Sequence, residues 1–400
     1  MTTMKKNIPF SPPDITDLEI ENVLQVLKSG WITTGPMTKK LEDLVSSYCD
    51  TEKTVCLNSA TACLELCLRV LGVGPGDEVI TSAYTYTASA SVIDHVGAKI
   101  ILVDTEPGKY HLSYEALENA ITDKTKVIIP VDIAGIMCDY DEIFRIVNDK
   151  RKLFTANNTI QEKIGRIAIL ADAAHSFGAT YKNRKSGSVA DFTSFSFHAV
   201  KNITTAEGGA LTWKSLGVEF DTWFYHQVRR LSLHGQTKDA FEKMGLNSWE
   251  YDIVSPAYKC NMTDIHAAIG VVQIERINEL YKSRTELYNH YIKTFISSSD
   301  ISVLLHDHND SISSKHLLLT QVKGNRNALI NALAEEGIAT NVHYKPLPLL
   351  TAYKEKGFSI DKFPNAMKLF ENEMTLPLNT LMKFEDIDYI HDKISRFFKK

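Results

Sequence analysis

The chain has 400 residues, with 44 Lys and Arg against 49 Asp and Glu, which gives a formal net charge of −5. So weak a negative charge argues against a nucleic-acid-binding protein. A composition of 44% hydrophobic and 23% charged residues argues against a disordered one. At about 150 residues per domain, the length allows two to three domains.

Helices and strands alternate over the first half of the chain. Apolar residues at helical spacing predict helices over 17–29 and 38–49. From Lys53 onward, short apolar runs predict strands, separated by helical patterns. The predicted strands cover residues 53–59, 77–83, 99–104, 125–135 and 166–175, and the intervening helices cover 60–72, 87–97, 113–121 and 139–150. This alternation is typical of an α/β protein whose mainly parallel sheet is buried on both faces.

The pattern changes after about Trp213. The sequence predicts a long helix over 263–291, a strand over 316–324, a helix over 325–337 and a strand over 338–346. Together these elements indicate an α+β arrangement. We therefore predict a large domain over residues 1–255 and a smaller C-terminal domain over residues 256–400. The polar segment 150–166 is predicted to be an excursion between a helix and its strand.

Signals for export, a membrane span or a metal site are not recognisable in the sequence. No stretch reaches 18 uncharged apolar residues, and no long apolar run follows the N-terminal lysines. The six cysteines show no CxxC spacing, so we expect reduced thiols in a cytoplasmic protein. The His-Asp-His segment 306–308 lies in a polar stretch without metal-site spacing. We predict that it faces solvent.

Two residues stand out as candidates for catalysis. Lys201 has apolar or uncharged flanks, and a partly buried lysine has a lowered pKa and can form a Schiff base. The commoner alternative for a lone lysine is a solvated surface charge. Asp172 ends an apolar strand, where α/β sheets hold ligand-binding groups, although an aspartate there is as often a helix cap. The glycines at 72, 74 and 76 follow a helix and precede a strand, the reverse of a dinucleotide-binding fingerprint.

Motifs over nearly the whole chain carry a specific resemblance. They are GWITTGPMTKKLE, LNSATACLEL, GVGPGDEVITSAYTYTASAS, DAAHSFGA, SFHAVKNITTAEGGAL, YKCNMTDIHAAIG and NVHYKPLP. With these motifs the chain resembles the nucleotide-sugar aminotransferases of the DegT/DnrJ/EryC1/StrS family, which are fold-type-I enzymes dependent on pyridoxal 5'-phosphate (PLP). The resemblance implies a large PLP-binding domain with a mostly parallel seven-stranded sheet, and a smaller α+β C-terminal domain.

The resemblance also implies residue roles. Lys201 matches the lysine that holds the cofactor aldehyde and then moves a proton, and Asp172 matches the carboxylate paired with the pyridine nitrogen. The other implied cofactor contacts are Ser59, Ala60, Thr61 and Ser196 at the phosphate, Tyr86 and His175 at the ring, and Asn261, which matches an asparagine that reaches the phosphate bound by the other subunit. The alternatives are plain helix caps at Ser59 and Asn261 and an ordinary strand-end aromatic at Tyr86.

Substrate contacts are implied for a second set of residues. They are Thr33, Thr34, Arg229, Arg230, His234, His343 and Tyr344. An arginine pair suits diphosphate recognition, and a solvated helix face is an equal alternative for Arg229 and Arg230. Many relatives carry a second His after the Pro of the segment that reads HYKPLP here, and this chain lacks it. A minor branch of the family replaces the lysine with His and dehydrates its substrate, so Lys201 favours transamination.

The predicted function follows from the resemblance. It is the transfer of an amino group from L-glutamate to a nucleotide-linked keto sugar, for a bacterial surface polysaccharide, teichoic acid or glycan. Residues 251–270 and 341–353 look most like those of enzymes acting on UDP-linked 4-keto-6-deoxy-N-acetylhexosamines. A 3-ketosugar substrate and a non-catalytic regulatory protein on the same fold are the alternatives. We expect a homodimer with shared active sites, and no metal, nucleic acid or membrane as a partner.

Overall fold

The computed structural model of the chain describes residues 6–238, 250–307 and 310–399. Its first half alternates helices with strands, as the apolar pattern predicts. The elements are α1 (Asp17–Ser29), α2 (Pro36–Cys49), β1 (Thr54–Leu57), α3 (Ala60–Val70), β2 (Glu78–Ser82), α4 (Ala88–His95), β3 (Lys99–Val103), α5 (Tyr114–Ala120), β4 (Thr125–Ile129), α6 (Tyr140–Asp149), α7 (Thr159–Ile164), β5 (Ala168–Asp172), β6 (Thr180–Tyr181), β7 (Arg184–Lys185), β8 (Phe192–Ser196) and β9 (Gly209–Trp213).

Helices dominate the second half. Its elements are α8 (Val218–Ser232), α9 (Asp264–Glu275), α10 (Ile277–Phe295), β10 (Ile301–Val303), β11 (Ser311–Ile312), β12 (Leu318–Val322), α11 (Arg326–Glu335), α12 (Thr351–Glu355), α13 (Pro364–Asn372), β13 (Glu373–Leu376) and α14 (Phe384–Phe398). Strands β10, β12 and β13 form a three-stranded antiparallel sheet, and β11 pairs with β6 of the first half.

A seven-stranded sheet organises the first half, in the order β1-β9-β8-β5-β4-β2-β3. Strand β9 runs antiparallel to both of its neighbours, and the remaining pairings are parallel. The register aligns Leu57 and Ser196, the last residues of β1 and β8, with Gly209, the first residue of β9. Asp172, the last residue of β5, lies opposite Ser194. One edge of the sheet therefore collects the ends of several strands, and the predicted α/β class with a mostly parallel seven-stranded sheet is confirmed.

Both faces of this sheet are buried, because successive side chains of a strand point to opposite faces. Val55 and Leu57 pack into a cluster with residues of α3 and α8, whereas Cys56 between them packs with Leu41 and Val271 of α2 and α9. A separate cluster joins residues of α10, α11 and α14 to the three-stranded sheet. Helix α9 thus packs on the large sheet, and the division between residues 255 and 256 stays a prediction.

Three sequence predictions differ from the structure. Residues 338–346 form no strand, since they contribute only isolated bridges from Ile338 and Asn341. The helix predicted over 263–291 divides at Arg276 into α9 and α10. The segment 150–166 contains α7, which Asn158 caps by accepting hydrogen bonds from two backbone N–H groups.

The His-Asp-His prediction is wrong for one of its residues. His306 is buried, with 1% of its surface exposed, and its Nδ1 lies 2.9 Å from Ser313 Oγ. Asp307 is half exposed, and His308 lies outside the described residues. Within the described ranges, no group of three or more His, Cys, Asp or Glu side chains is arranged to hold a metal ion. No helix in those ranges is long and apolar enough to cross a membrane.

Candidate active site

A cavity of about 490 Å³ lies at the strand-end edge of the large sheet. Loops that follow β2, β4, β5 and β8 form one side, and segments 10–11, 316–317 and 341–344 form the other. Ten of the residues implied by the resemblance line this cavity. They are Ser59, Ala60, Thr61, Tyr86, Asp172, His175, Ser196, Lys201, His343 and Tyr344. Residues far apart in sequence therefore meet in one place.

Lys201 lies in the loop after β8 and lines the cavity. Burial lowers the pKa of its ammonium group to about 8, although the nearby Asp172 carboxylate acts in the opposite direction. Its amine makes no hydrogen bond to any residue in the described part of the chain. A buried amine with a lowered pKa is a nucleophile and proton carrier at neutral pH, and the surface-charge alternative is excluded.

Asp172 is held by two donors at the end of β5. Ser89 Oγ donates to its Oδ2 at 2.7 Å, and the backbone N–H of Ala174 donates to its Oδ1 at 3.2 Å. Burial raises the pKa of the Asp172 carboxyl, while both hydrogen bonds and the Lys201 charge lower it. The carboxylate faces the same cavity as Lys201, so it is oriented to pair with a cationic ring nitrogen.

The start of α3 forms a cradle suited to a phosphate group. Ser59 Oγ accepts from the Ala62 N–H at 3.1 Å, so the helix-cap alternative for Ser59 is correct, and its contact with a phosphate stays a prediction. The N–H groups of Ala60 and Thr61 have no intrahelical acceptor, as expected for a first helical turn. A Cβ added to Gly209 would lie 2.5 Å from Ala60 N, so the glycine leaves the backbone N–H of Ala60 unobstructed. A helix N-terminus with adjacent hydroxyls binds phosphate.

His175 and Tyr344 form a hydrogen-bonded pair across the cavity. His175 Nδ1 accepts from the backbone N–H of Ala134 at 3.2 Å, and burial lowers the pKa of the imidazole well below 6.5. The neutral ring therefore carries its proton on Nε2 and donates to Tyr344 Oη at 2.9 Å. Since this oxygen accepts from His175, the Tyr344 O–H is left to donate elsewhere. Tyr86 lies at the mouth, 61% exposed, with its ring 5.9 Å from that of Tyr344.

His343 is fixed by a buried carboxyl group. Its backbone N–H donates to Glu373 Oε2 at 2.8 Å, and its Nδ1 lies 2.8 Å from Thr375 Oγ1. Burial lowers the pKa of His343 to about 3, with the Lys201 charge acting in the same direction. Burial also raises the pKa of Glu373 to about 8. His343 is thus a neutral imidazole in the cavity wall.

The other six predicted site residues do not line this cavity within one chain. Asn261 Nδ2 donates to Thr34 Oγ1 at 2.6 Å, and the Thr33 carbonyl accepts from the Asp264 N–H at 3.1 Å. Thr263, not Asn261, caps α9, so the cap alternative for Asn261 is excluded. These six residues lie in the last turn of α8, at positions 234 and 261 between α8 and α9, and in the segment before α2. They are Thr33, Thr34, Arg229, Arg230, His234 and Asn261.

The arginines of α8 differ in their surroundings. Arg229 is largely buried and lies 3.9 Å from the carboxylate of the buried Glu42. The solvated-face alternative is therefore wrong for Arg229. Arg230 is partly buried in the last turn of the same helix. His234 has a positive φ of 60°, and its N–H donates to the Tyr258 carbonyl at 2.6 Å.

Sequence reasoning missed His316 and Asn202. His316 lines the cavity with 3% of its surface exposed, and its Nδ1 lies 2.9 Å from Asn202 Oδ1. Asn202 directly follows Lys201. His316 begins a stretch predicted only as a strand, and no motif signal distinguished it from an ordinary polar residue.

A family model describes residues 13–395 as a DegT/DnrJ/EryC1/StrS aminotransferase. The chain belongs to this family. The putative sugar aminotransferase Spr1654 from Streptococcus pneumoniae, in its pyridoxamine-phosphate form, is similar at 56% identity with a TM-score of 0.94, and 98% of each chain is covered. Its PLP form gives 54% identity and a TM-score of 0.93, again with 98% of each chain covered.

Curated relatives extend the comparison of this aminotransferase. The spore coat polysaccharide biosynthesis protein SpsC of Bacillus subtilis is 35% identical, over 98% of this chain and 97% of its own length. The UDP-4-amino-4-deoxy-L-arabinose–oxoglutarate aminotransferase of Shewanella sediminis is 34% identical, over 97% of this chain and 97% of its own length. The predicted family, fold type, cofactor and enzyme class are confirmed: the protein is a PLP-dependent sugar aminotransferase.

Proposed function

We propose that this aminotransferase moves the amino group of L-glutamate to a UDP-linked 4-keto-6-deoxy-N-acetylhexosamine, in the cytoplasm, as a step in making a surface polysaccharide or glycan. The cavity carries the proposal, because it combines the buried amine of Lys201, the carboxylate of Asp172 and the phosphate cradle of α3. The Shewanella relative is named for a 4-amino sugar, which favours a C4 over a C3 keto group. The buried Lys201 favours an enzyme over a regulatory protein.

The residues of the cavity divide the work of holding PLP and moving protons. Bound PLP supplies an electron-accepting ring that stabilises negative charge on the substrate carbon. Ser59 to Thr61 and Ser196 hold the phosphate, and Asp172 keeps a proton on the ring nitrogen. Lys201 Nζ would take a proton from the glutamate carbon that bears the amino group and, in the second half-reaction, give a proton to the sugar carbon that receives the amino group. With a pKa of about 8, its amine is partly unprotonated at neutral pH, as this role requires.

Anionic ligands also require positive charge that the cavity of one chain does not supply. Among its described lining residues, Lys201 is the one lysine or arginine. A nucleotide diphosphate and the carboxylates of glutamate suit bidentate arginine partners. Arg229 and Arg230 lie outside the cavity in their own chain. We therefore propose a homodimer in which each chain contributes Asn261 and Arg230 to the site of the other.

An exposed apolar face on α1 supports the second copy. Ile20 and Leu27 are each more than half exposed, and Leu24 lies on the same face of the helix. An apolar groove beside them is lined by Ile20 and Val23 of α1 and by Ala199, from the loop that carries Lys201. Apolar surface of this kind at a functional loop is typical of a protein interface.

The activity is tested with purified holoenzyme. Glutamate should bleach the visible absorbance of the bound cofactor, and the bleached enzyme should aminate one member of a panel of UDP-, GDP- and dTDP-linked keto sugars, detected by product mass. Lys201→Ala should lose both half-reactions while still forming a folded dimer. Holoenzyme whose absorbance does not change with glutamate, or that aminates only a 3-keto sugar, would contradict the proposal.

Shared sites are tested by mixing inactive variants. A dimer of one Lys201→Ala chain and one Asn261→Ala chain contains one intact site and one doubly altered site. Random mixing makes half of the dimers heterodimers, so about a quarter of the wild-type sites should be recovered. Mixing two preparations of the same variant is the control. A monomer in sedimentation, or no recovery on mixing, would refute the shared site.

A further inference from the structure

His316 is a buried imidazole that the roles above leave unused. Its backbone is fixed on both sides, since its N–H donates to the Ala134 carbonyl at 3.0 Å and its own carbonyl accepts from Arg284 Nη1 at 3.2 Å. The ring centroid lies 4.5 Å from that of His175, and the side chain lines the cavity. The ring is therefore held in one position at the wall of the active site.

The partners of Asn202 determine which nitrogen of His316 carries the proton. Asn202 Nδ2 donates to the Ser314 carbonyl at 2.8 Å, so the amide oxygen of Asn202 faces His316. An amide oxygen only accepts, and therefore His316 Nδ1 must be the donor across the 2.9 Å contact. Burial lowers the pKa of His316 well below 6.5, with the neighbouring His175 and Lys201 acting in the same direction. The neutral ring thus has an unprotonated Nε2.

The two neighbouring imidazoles consequently have opposite tautomers. His175 carries its proton on Nε2, because its Nδ1 accepts from Ala134. His316 carries its proton on Nδ1, and its Nε2 has no hydrogen-bond partner among the residues that the structure describes. The side chain lines the cavity, so the donor of a bound ligand can reach this nitrogen and gains affinity from the hydrogen bond. Nε2 of His316 is an acceptor prepared for a ligand.

We infer that His316 is a binding residue that accepts a hydrogen bond from a hydroxyl group of the sugar ring, and that Asn202 is its positioning residue. This inference rests on the proposed function. A sugar ring offers hydroxyl donors, whereas glutamate, apart from its reacting amine, offers only carboxylate acceptors. The lone pair of His316 therefore favours the sugar over the amino donor. The Asn202 side chain also links the loop after Lys201 to the segment around residue 314.

The two half-reactions distinguish a role of His316 in sugar binding from a general effect on the active site. His316→Phe keeps a ring and removes the acceptor, and His316→Gln returns an acceptor near the position of Nε2. The probes are glutamate and UDP-4-keto-6-deoxy-N-acetylglucosamine, and the readout is the second-order rate constant of each half-reaction, followed by cofactor absorbance. We expect the sugar-to-glutamate ratio to fall about tenfold in His316→Phe and to recover to within about threefold in His316→Gln.

A matched control and a direct measurement complete the test. His306→Phe makes the same change at a buried histidine outside the cavity, and it should leave the ratio unchanged. Histidine-labelled ¹⁵N NMR of the wild-type enzyme should show a pyrrole-type Nδ1 and a pyridine-type Nε2 for His316. Asn202→Leu should shift that signal towards a tautomer mixture. This measurement does not depend on activity or on the folding of a His316 variant.

The outcomes separate failure of this inference from failure of the proposed function. An unchanged ratio in His316→Phe, or a protonated Nε2 in the wild-type enzyme, would overturn the inference while turnover of the sugar continued. A wild-type enzyme that fails to aminate the sugar probe, or to react with glutamate, would overturn the proposed function and the assignment of a sugar hydroxyl with it.

Discussion

The acidity of Lys201 is the property of this enzyme that the cavity sets most directly. Burial lowers the pKa of its ammonium group from 10.5 to about 8. At about 1.36 kcal/mol per pH unit, this interval corresponds to roughly 3 kcal/mol of preference for the neutral amine. At pH 7.5 about a quarter of the groups are neutral, compared with about 0.1% for a lysine in water, a gain of roughly 200-fold.

Replacing Asp172 by asparagine perturbs this value without changing the size of the side chain. The Asp172 charge raises the pKa of Lys201, and burial alone lowers it. Asp172→Asn should therefore move the pKa of Lys201 below 8, so that the amine is neutral over a wider range of pH. If the substitution instead exposed Lys201 to water, its pKa would rise, so the direction of the shift distinguishes the two effects.

Competitive labelling of the apoenzyme with isotope-coded acetic anhydride measures this pKa at a single residue. Labelling of the Lys201 peptide is followed by mass spectrometry from about pH 6 to about pH 11, which spans the pKa of about 8 and the ordinary lysine pKa of 10.5. The yield is normalised to the exposed Lys124 in the same digest. The midpoint should lie near 8 in the wild-type enzyme and lower in Asp172→Asn. A wild-type midpoint near 10, or a higher midpoint in the variant, would refute the reasoning.

Three further changes test the surroundings of the cavity. Ser89→Ala removes the 2.7 Å hydrogen bond to Asp172, and should weaken PLP binding about tenfold in an absorbance titration; unchanged affinity would contradict it. Gly209→Ala forces a Cβ to within 2.5 Å of Ala60 N, and should lower the melting temperature and the PLP content together, not one alone. Because burial raises the pKa of Glu373 from 4.5 to about 8, the folded state binds the proton more tightly, and stability falls by up to about 1.4 kcal/mol per pH unit across that window. Glu373→Gln should remove this decline in thermal unfolding scans, and parallel curves for the two proteins would contradict it.

Local pattern was sufficient to single out Asp172 and Lys201 as candidates, whereas Ser196 was implied by the family resemblance alone. A parallel strand buried on both faces reads as a continuous apolar run, so the end of the run marks the end of the strand. Asp172 and Ser196 are both last residues of their strands. Lys201 follows in a loop with no charged neighbours within three positions. The rule that α/β sheets hold ligand-binding groups at strand ends applied to Asp172, and the family resemblance implied that Lys201 and Ser196 share its site.

Pairing partners, in contrast, are not visible in a local pattern. Residues 338–346 alternate as a strand does, yet they make only isolated bridges, Ile338 to Ile8 and Asn341 to Thr375. The second does not extend into a strand pairing, because His343 gives its backbone N–H to the Glu373 side chain instead. The helical pattern over 263–291 continues through Arg276, but the helix is interrupted there and divides into α9 and α10. The Arg276 guanidinium donates to Glu19 at 2.8 Å, a contact far apart in sequence. His316 is distinguished only by Asn202, 114 positions away, and so by a tertiary contact.

The placement of charge gives the physical argument for a second chain. The cavity of one chain has donors for a phosphate at α3 and one cationic side chain, Lys201, among its described lining residues. A dianionic diphosphate in such a cavity would lose hydration without comparable compensation, and an unpaired buried charge is costly. Arg230 supplies that compensation only if another copy brings it to the cavity. The α1 surface, which would otherwise expose Ile20 and Leu27 to water, provides the apolar area for that contact.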